Sequence, residues 1–281
     1  MKICVVGTGT MGGGIVQTIA QAGIEIWMKG RSQASIDRAV NKIESGLKRL
    51  VDREKITEDK KDEIVSKIHT TLSFDDIKDS DLIIEAIAED IELKKETLRQ
   101  LDEICKPESI FATNTSSFSI TELSMVTNRP EMVIGMHFFN PVPIMKLVEV
   151  IKGQHTNENV YNVVLNLTEE IGKTAVTVNE SPGFVVNRLL IPMINEGIAT
   201  LADGAATKEE IDTAMKLGAS HPMGPLALAD LIGLDVCLAI MEVLHNEFGD
   251  DKYRPHPLMR KMVRAKLLGR KTGKGFYDYN R

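Results

Sequence analysis

Two side chains of this 281-residue chain could share the work of moving a proton. His137 and Glu149 stand twelve residues apart, each in an apolar run that reads as a strand. A histidine bonded to a carboxylate has its tautomer fixed and its basicity raised. Such a pair suits the oxidation of an alcohol, in which a base must take the hydroxyl proton as hydride leaves. The reverse reaction also needs donors that polarise a carbonyl. Ser116 and Asn187 are short polar groups that could supply them. Taken alone, a histidine on a strand is more often a structural residue.

The stretch from Lys2 to Gly14, KICVVGTGTMGGG, points to a hydride carrier. Ile3 to Val6 is the short apolar run of a buried parallel strand. Gly7-Thr8-Gly9-Thr10-Met11-Gly12 fits G-x-G-x-x-G, and Ile15, Ile19 and Ala22 then recur at helical spacing. In a dinucleotide-binding unit Gly7 permits the tight turn, Gly9 lets the backbone approach a pyrophosphate, and Gly12 lets the helix pack close. Free N–H groups at the helix start, around Thr10 and Met11, favour the phosphates.

A second strand, Ile24 to Met28, would normally end in an acidic residue that bonds the ribose 2′-hydroxyl. Here it runs into Lys29-Gly30-Arg31-Ser32, with no carboxylate. Arg31 could pair with a 2′-phosphate in a fork geometry, with Lys29 or Ser32 assisting beside Gly30. The expected cofactor is therefore NADP(H), with NAD(H) as the weaker alternative. The bland alternative is that Arg31 is a solvated loop residue.

Two helices follow instead of a plain return strand. Ile36, Val40, Ile43, Leu47, Leu50 and Val51 give the first its apolar stripe, and Ile56, Ile64, Val65 and Ile68 suggest the second. Arg38, Lys42, Arg49 and Arg53 share one face of the first helix. That face is either a solvated surface or a docking surface for a polyanion, kept apart from the glycine turn. Further strands are expected at Leu82 to Ala86, Ile110 to Thr113, Met132 to Phe139, Leu147 to Ile151 and Ala175 to Val178. Asn114 to Ser117 form a polar cluster at a strand's carboxyl end, where doubly wound sheets bind ligands. Beyond Pro182-Gly183 the pattern is helical: a long helix carrying Asn187, then Lys208 to Leu217, Leu226 to Glu247 and Pro257 to Lys266.

Composition narrows the class. With 43% hydrophobic and 26% charged residues the chain reads as a soluble globular protein, and its net charge of −6 argues against a general nucleic-acid binder. Cys4, Cys105 and Cys237 form no CxxC pair and no metal-ligand spacing, so reduced thiols and no metal are expected. No signal-peptide pattern precedes the first strand, and the apolar stretch Leu226 to Leu244 is broken by Asp230 and Asp235. A cytoplasmic protein with no membrane partner is expected.

The glycine motif, Asn114-Thr115-Ser116-Ser117, His137-Phe138-Phe139-Asn140-Pro141, Pro182-Gly183-Phe184-Val185-Val186-Asn187-Arg188, His221-Pro222-Met223-Gly224-Pro225 and the tail from Gly269 to Tyr277 resemble the 3-hydroxyacyl-CoA dehydrogenases. The resemblance runs in order over essentially the whole chain. It is strongest to the short bacterial 3-hydroxybutyryl-CoA dehydrogenases of butyrate-type fermentation. It implies that His137 is the general base in oxidation and acid in reduction, oriented by Glu149. Ser116 would bond the 3-oxygen or the cofactor ribose, and Asn187 would help bind the acyl thioester. Asn114 joins the cofactor contacts, and Glu89, Lys94, Asn140 and Lys271 match positions that touch the dinucleotide in relatives. The two-helix insertion is where relatives hold the CoA phosphates, which favours Arg49 and Arg53. The chain departs from the pattern at Gly30, where NAD-using relatives usually carry Asp.

The expected fold is α/β: a Rossmann-type doubly wound sheet with a helical-hairpin insertion over residues 1–182, then a smaller all-helical domain over 183–281. The expected reaction is reversible reduction of acetoacetyl-CoA to (S)-3-hydroxybutyryl-CoA with NADPH, by a homodimer joined through the helical domain. Two alternatives stand beside it: an NAD-dependent enzyme of β-oxidation, and a non-catalytic dinucleotide-binding protein. The joint presence of Ser116, His137, Glu149 and Asn187 argues against the second.

Overall fold

The computed structural model describes residues 1–280, which divide into two compact units meeting at Glu180 and Ser181. The first unit is built on an eight-stranded sheet in the order β3-β2-β1-β4-β5-β6-β7-β8. Its elements are β1 (Ile3–Val6), α1 (Thr10–Gln21), β2 (Ile26–Lys29), α2 (Gln33–Asp52), α3 (Glu58–Ser66), β3 (Ile68–Thr71), β4 (Leu82–Glu85) and α4 (Ile91–Ile104). They continue with β5 (Ile110–Thr113), α5 (Ile120–Ser124), β6 (Val133–Phe138), β7 (Leu147–Lys152), α6 (Glu158–Glu170) and β8 (Thr174–Asn179). Strands β1 to β6 are parallel, β7 runs antiparallel to β6, and β8 is parallel to β7.

The central strands are apolar throughout because helices cover both faces. Every residue of β1, β4 and β5 is buried. Each fully buried Ile or Leu side chain there contributes roughly 1.5–3 kcal/mol. Strand order reverses at β1, with β2 on one side and β4 on the other. A crevice outside the carboxyl ends of β1 and β4 is the ligand position of such a sheet.

The hairpin insertion is α2 and α3, as expected, but a return strand follows it. Ile68 opens β3, which pairs in parallel with β2, and does not continue the preceding helix. An edge strand of four residues, IHTT, leaves no alternating pattern long enough to stand out.

The second unit is helical: α7 (Val186–Ala202), α8 (Lys208–Gly218), α9 (Pro225–Ile232), α10 (Leu234–Phe248) and α11 (Pro257–Arg264). The single helix expected over Leu226 to Glu247 is two helices. Gly233 adopts φ +104°, outside the right-handed helical region, and breaks the run between α9 and α10. Asp230, buried at the end of α9, accepts hydrogen bonds from the Phe276 and Tyr277 backbone N–H groups at 2.9 Å each. The tail is thereby tied to the helices, and Ile191, Ile194, Ile198, Leu226, Leu234 and Leu244 fill this unit's own core. All three cysteines are buried and unpaired, and burial pushes the Cys4, Cys105 and Cys237 thiols up to about 12, 11 and 12. Among the described residues no helix is long and apolar enough to cross a membrane, and no cluster of metal-ligating side chains occurs.

Candidate active site

The glycine turn is shaped as its spacing predicts. Gly7 has φ +129°, and a Cβ there would lie 2.3 Å from the Ala86 carbonyl oxygen, so only glycine fits between β1 and β4. A Cβ at Gly12 would lie 2.1 Å from the Gly7 carbonyl oxygen. A Cβ at Gly9 would meet nothing within 4 Å, which is the open approach a pyrophosphate needs. Gly9 caps α1 without a side-chain hydrogen bond, so the first N–H groups of the helix stay available to an anion.

A groove of about 1380 Å³ extends from this turn along α2. Gly7, Gly9, Thr10, Met11, Gly30, Arg31 and Asn140 line it, and so do Arg38, Lys42, Arg49 and Arg53. The cationic stripe is therefore not kept apart from the glycine turn: both belong to one groove. Lys42 Nζ donates to Thr10 Oγ1, the first residue of α1, at 3.2 Å. Six cationic side chains line the groove (Lys29, Arg31, Arg38, Lys42, Arg49 and Arg53) and no carboxylate does. None of Arg31, Arg38, Arg49 and Arg53 forms a salt bridge among the described residues. Desolvation lowers the pKa of Lys29, whose ammonium lies 3.7 Å from the centre of the Phe74 ring.

An acidic residue at the end of β2 would have to displace its neighbours. Gly30 is buried, and a Cβ there would lie 2.4 Å from Cγ1 of the core residue Ile36. Arg31 is exposed at the groove. Ser32 caps α2 instead of facing the groove: its Oγ accepts from Ser35 N–H at 3.3 Å, and Ser35 Oγ accepts in turn from Ser32 N–H.

His137 and Glu149 are direct cross-strand partners in the antiparallel β6–β7 pair. His137 Nδ1 lies 2.8 Å from Glu149 Oε2, and both side chains are buried. A carboxylate only accepts, so Nδ1 carries the proton of that bond and Nε2 is left as the basic nitrogen. The Phe139 ring packs on the imidazole at 4.4 Å between centroids.

The polar cluster after β5 is held by its own side chains. Asn114 Oδ1 accepts from Phe138 N–H at 2.8 Å, fixing the end of β5 to the end of β6. Glu89 Oε1 accepts from Thr115 Oγ1 at 2.6 Å, Ser116 N–H at 2.8 Å and Ser116 Oγ at 3.0 Å. Desolvation raises the Glu89 pKa, but the nearby Lys94 charge and the Thr115 and Ser116 hydrogen bonds outweigh it and hold it below the ordinary value. Lys94, expected at the dinucleotide, is buried with its ammonium committed to two carboxylates. It lies 2.7 and 3.0 Å from the two Glu85 oxygens and 3.2 Å from Glu89 Oε2. Glu85 is a residue that the reading of motifs passed over. Its signal was a carboxylate ending the otherwise apolar strand LIIE, because a charge buried there requires a partner.

In the second unit, Asn187 is a buried residue in the first turn of α7. Lys271 pairs with Asp235 at 2.5 Å.

The chain matches two family models and is similar to several known proteins. The family described as "3-hydroxyacyl-CoA dehydrogenase, NAD binding domain" matches residues 2–181, and "3-hydroxyacyl-CoA dehydrogenase, C-terminal domain" matches residues 183–279. The chain is 59% identical over 281 residues to a 3-hydroxybutyryl-CoA dehydrogenase of Clostridioides difficile, covering 100% of both. It is 41% identical to the mitochondrial hydroxyacyl-coenzyme A dehydrogenase of Rattus norvegicus, over 99% of this chain and 90% of that one. A crystal structure of (S)-3-hydroxybutyryl-CoA dehydrogenase from Ralstonia eutropha superposes with a TM-score of 0.96 at 51% identity, covering 100% of this chain and 99% of that one.

Proposed function

The chain belongs to the 3-hydroxyacyl-CoA dehydrogenase family, and we propose that it reduces acetoacetyl-CoA reversibly to (S)-3-hydroxybutyryl-CoA with NADPH. The observation that carries the cofactor choice is the groove lined by six cations and no carboxylate. A 2′-phosphate beside a ribose carboxylate would be repelled; beside Gly30 and Arg31 it meets only positive charge. Arg38 and Lys42 extend that charge towards the glycine turn, and Arg49 and Arg53 continue it for the phosphates of the acyl-CoA. The nicotinamide supplies or accepts the hydride when bound.

The proton is handled by His137. In reduction it gives a proton from Nε2 to the substrate oxygen, and in oxidation it takes that proton back. Glu149 holds Nδ1–H throughout and stabilises the imidazolium; removing it would lose both orientation and charge compensation. Ser116 is read as a ligand-contacting residue at the 3-oxygen or the cofactor ribose. In the second unit, Asn187 is assigned to the acyl thioester and Lys271 to the dinucleotide. We further propose a homodimer joined through the helical unit, which exposes Leu189, Leu217 and Leu231. A cytoplasmic location completes the reading.

The test is acetoacetyl-CoA reduction followed at the nicotinamide absorbance, with His137→Gln as control. Turnover by the parent chain and a loss of about 10²–10⁴-fold in the variant are expected for a lost general acid. Equal rates in both would remove His137 from the mechanism.

A further inference from the structure

The charges around Ser116, of which Glu85 and Lys94 are buried and Glu89 is exposed, form a chain that the proton-transfer step does not use. Glu85 is fully buried at the carboxyl end of β4. Its two oxygens accept from Ile87 N–H at 2.8 Å, Thr113 Oγ1 at 2.7 Å and Lys94 Nζ at 2.7 and 3.0 Å. Lys94, 1% exposed, reaches on to Glu89 Oε2 at 3.2 Å. Glu89 Oε1 then gathers Thr115 Oγ1, Ser116 N–H and Ser116 Oγ. The order is carboxylate, ammonium, carboxylate, hydroxyl, and each link is within hydrogen-bonding distance.

Polarity runs in one direction along this chain. A serine hydroxyl has one proton to donate, and an ionised carboxylate can only accept it. With Ser116 Oγ 3.0 Å from Glu89 Oε1, that proton points at Glu89. The Lys94 charge keeps Glu89 ionised, and Glu85 keeps Lys94 in place. We propose that Glu89 is a positioning residue that accepts the hydrogen bond of the Ser116 hydroxyl, that the buried Glu85–Lys94 pair holds Glu89 to this task, and that Ser116 Oγ meets its ligand as a hydrogen-bond acceptor. The proposal rests on the reading above that Ser116 touches a ligand. The ligand group it selects is a hydroxyl of the cofactor ribose, and not the substrate 3-oxygen, whose only proton is the one exchanged with His137.

The experiment is a double-mutant cycle between Glu89→Gln and Ser116→Ala in the full chain, with kcat and KM measured in both reaction directions. An amide at position 89 cannot offer acceptors to both Lys94 and Ser116, so the hydroxyl loses its fixed direction. Glu89→Gln should lower kcat/KM by about tenfold or more in the parent background. With Ser116 already Ala, the same change should cost less than about twofold, because coupled residues are not additive. Glu85→Gln should repeat the pattern with smaller losses. If that buried variant does not fold, the Glu89 cycle carries the test alone. Ser116→Ala should raise KM for the dinucleotide. A rise confined to the acyl-CoA substrates would overturn the acceptor role. Equal losses from Glu89→Gln in both backgrounds would reduce Glu89 to a structural residue while leaving Ser116 at the site. No loss at all from Ser116→Ala would overturn both this proposal and the placing of Ser116 at a ligand.

Discussion

The groove along α2 and the buried cluster at the end of β4 use charge in opposite ways. In the groove, Arg31, Arg38, Arg49 and Arg53 are exposed and make no salt bridge among the described residues. At the end of β4, Lys94 is buried and held by two carboxylates. Unpaired exposed cations cost the fold little and remain free for a polyanion. A paired buried cation has no capacity left for a phosphate, but it can orient its neighbours. The contrast separates charges that bind from charges that position, within one sheet and from similar residue types.

The contrast can be broken most severely at Glu85. Glu85→Ala leaves the Lys94 ammonium buried beside only the more distant Glu89, and urea denaturation should show a loss of about 3–5 kcal/mol. The groove should behave otherwise. Changing Arg49 and Arg53 together to Ala should raise the acyl-CoA KM by roughly ten- to a hundredfold through lost charge-assisted bonds. The same variant should shift unfolding by no more than about 0.5 kcal/mol, since these are surface positions. An unchanged acyl-CoA KM would return the stripe to a solvated face.

Gly30→Asp joins the two effects at one position. It should move cofactor preference towards NADH and cost about 1–3 kcal/mol, because the new Cβ displaces Ile36 from its packing. A stable variant with unchanged preference would show that the 2′-position is read elsewhere. The smallest effect concerns acid stability. Glu89 has a folded pKa below its unfolded value, so it stabilises the fold above the ordinary carboxylate range. That contribution is lost as pH falls through the folded pKa. Glu89→Gln should flatten the acid side of the stability profile and leave neutral pH less altered.

Much of this was legible in the chain. The glycine turn was, because steric demands at Gly7 and Gly12 admit no other residue, and those demands are written as a spacing. His137 and Glu149 were legible as a pair of suitable types. Their contact depends on β7 lying antiparallel to β6 in one register, which no local pattern encodes. The union of the stripe with the glycine turn was hidden for the same reason: it follows from how α2 packs beside α1. The break at Gly233 was hidden by the apolar residues on both sides, which continue a helical period across it. Glu85 was plainly visible, yet its meaning required Lys94, nine residues on and one strand-to-helix crossing away.

The most direct measurement is kcat/KM for acetoacetyl-CoA reduction with NADPH and NADH side by side on the same preparation. A free cationic groove with no ribose carboxylate predicts turnover with a clear preference for NADPH, of about tenfold or more for one charge-assisted phosphate contact. Turnover that prefers NADH would contradict it, and would place the cations of α2 with the acyl-CoA alone.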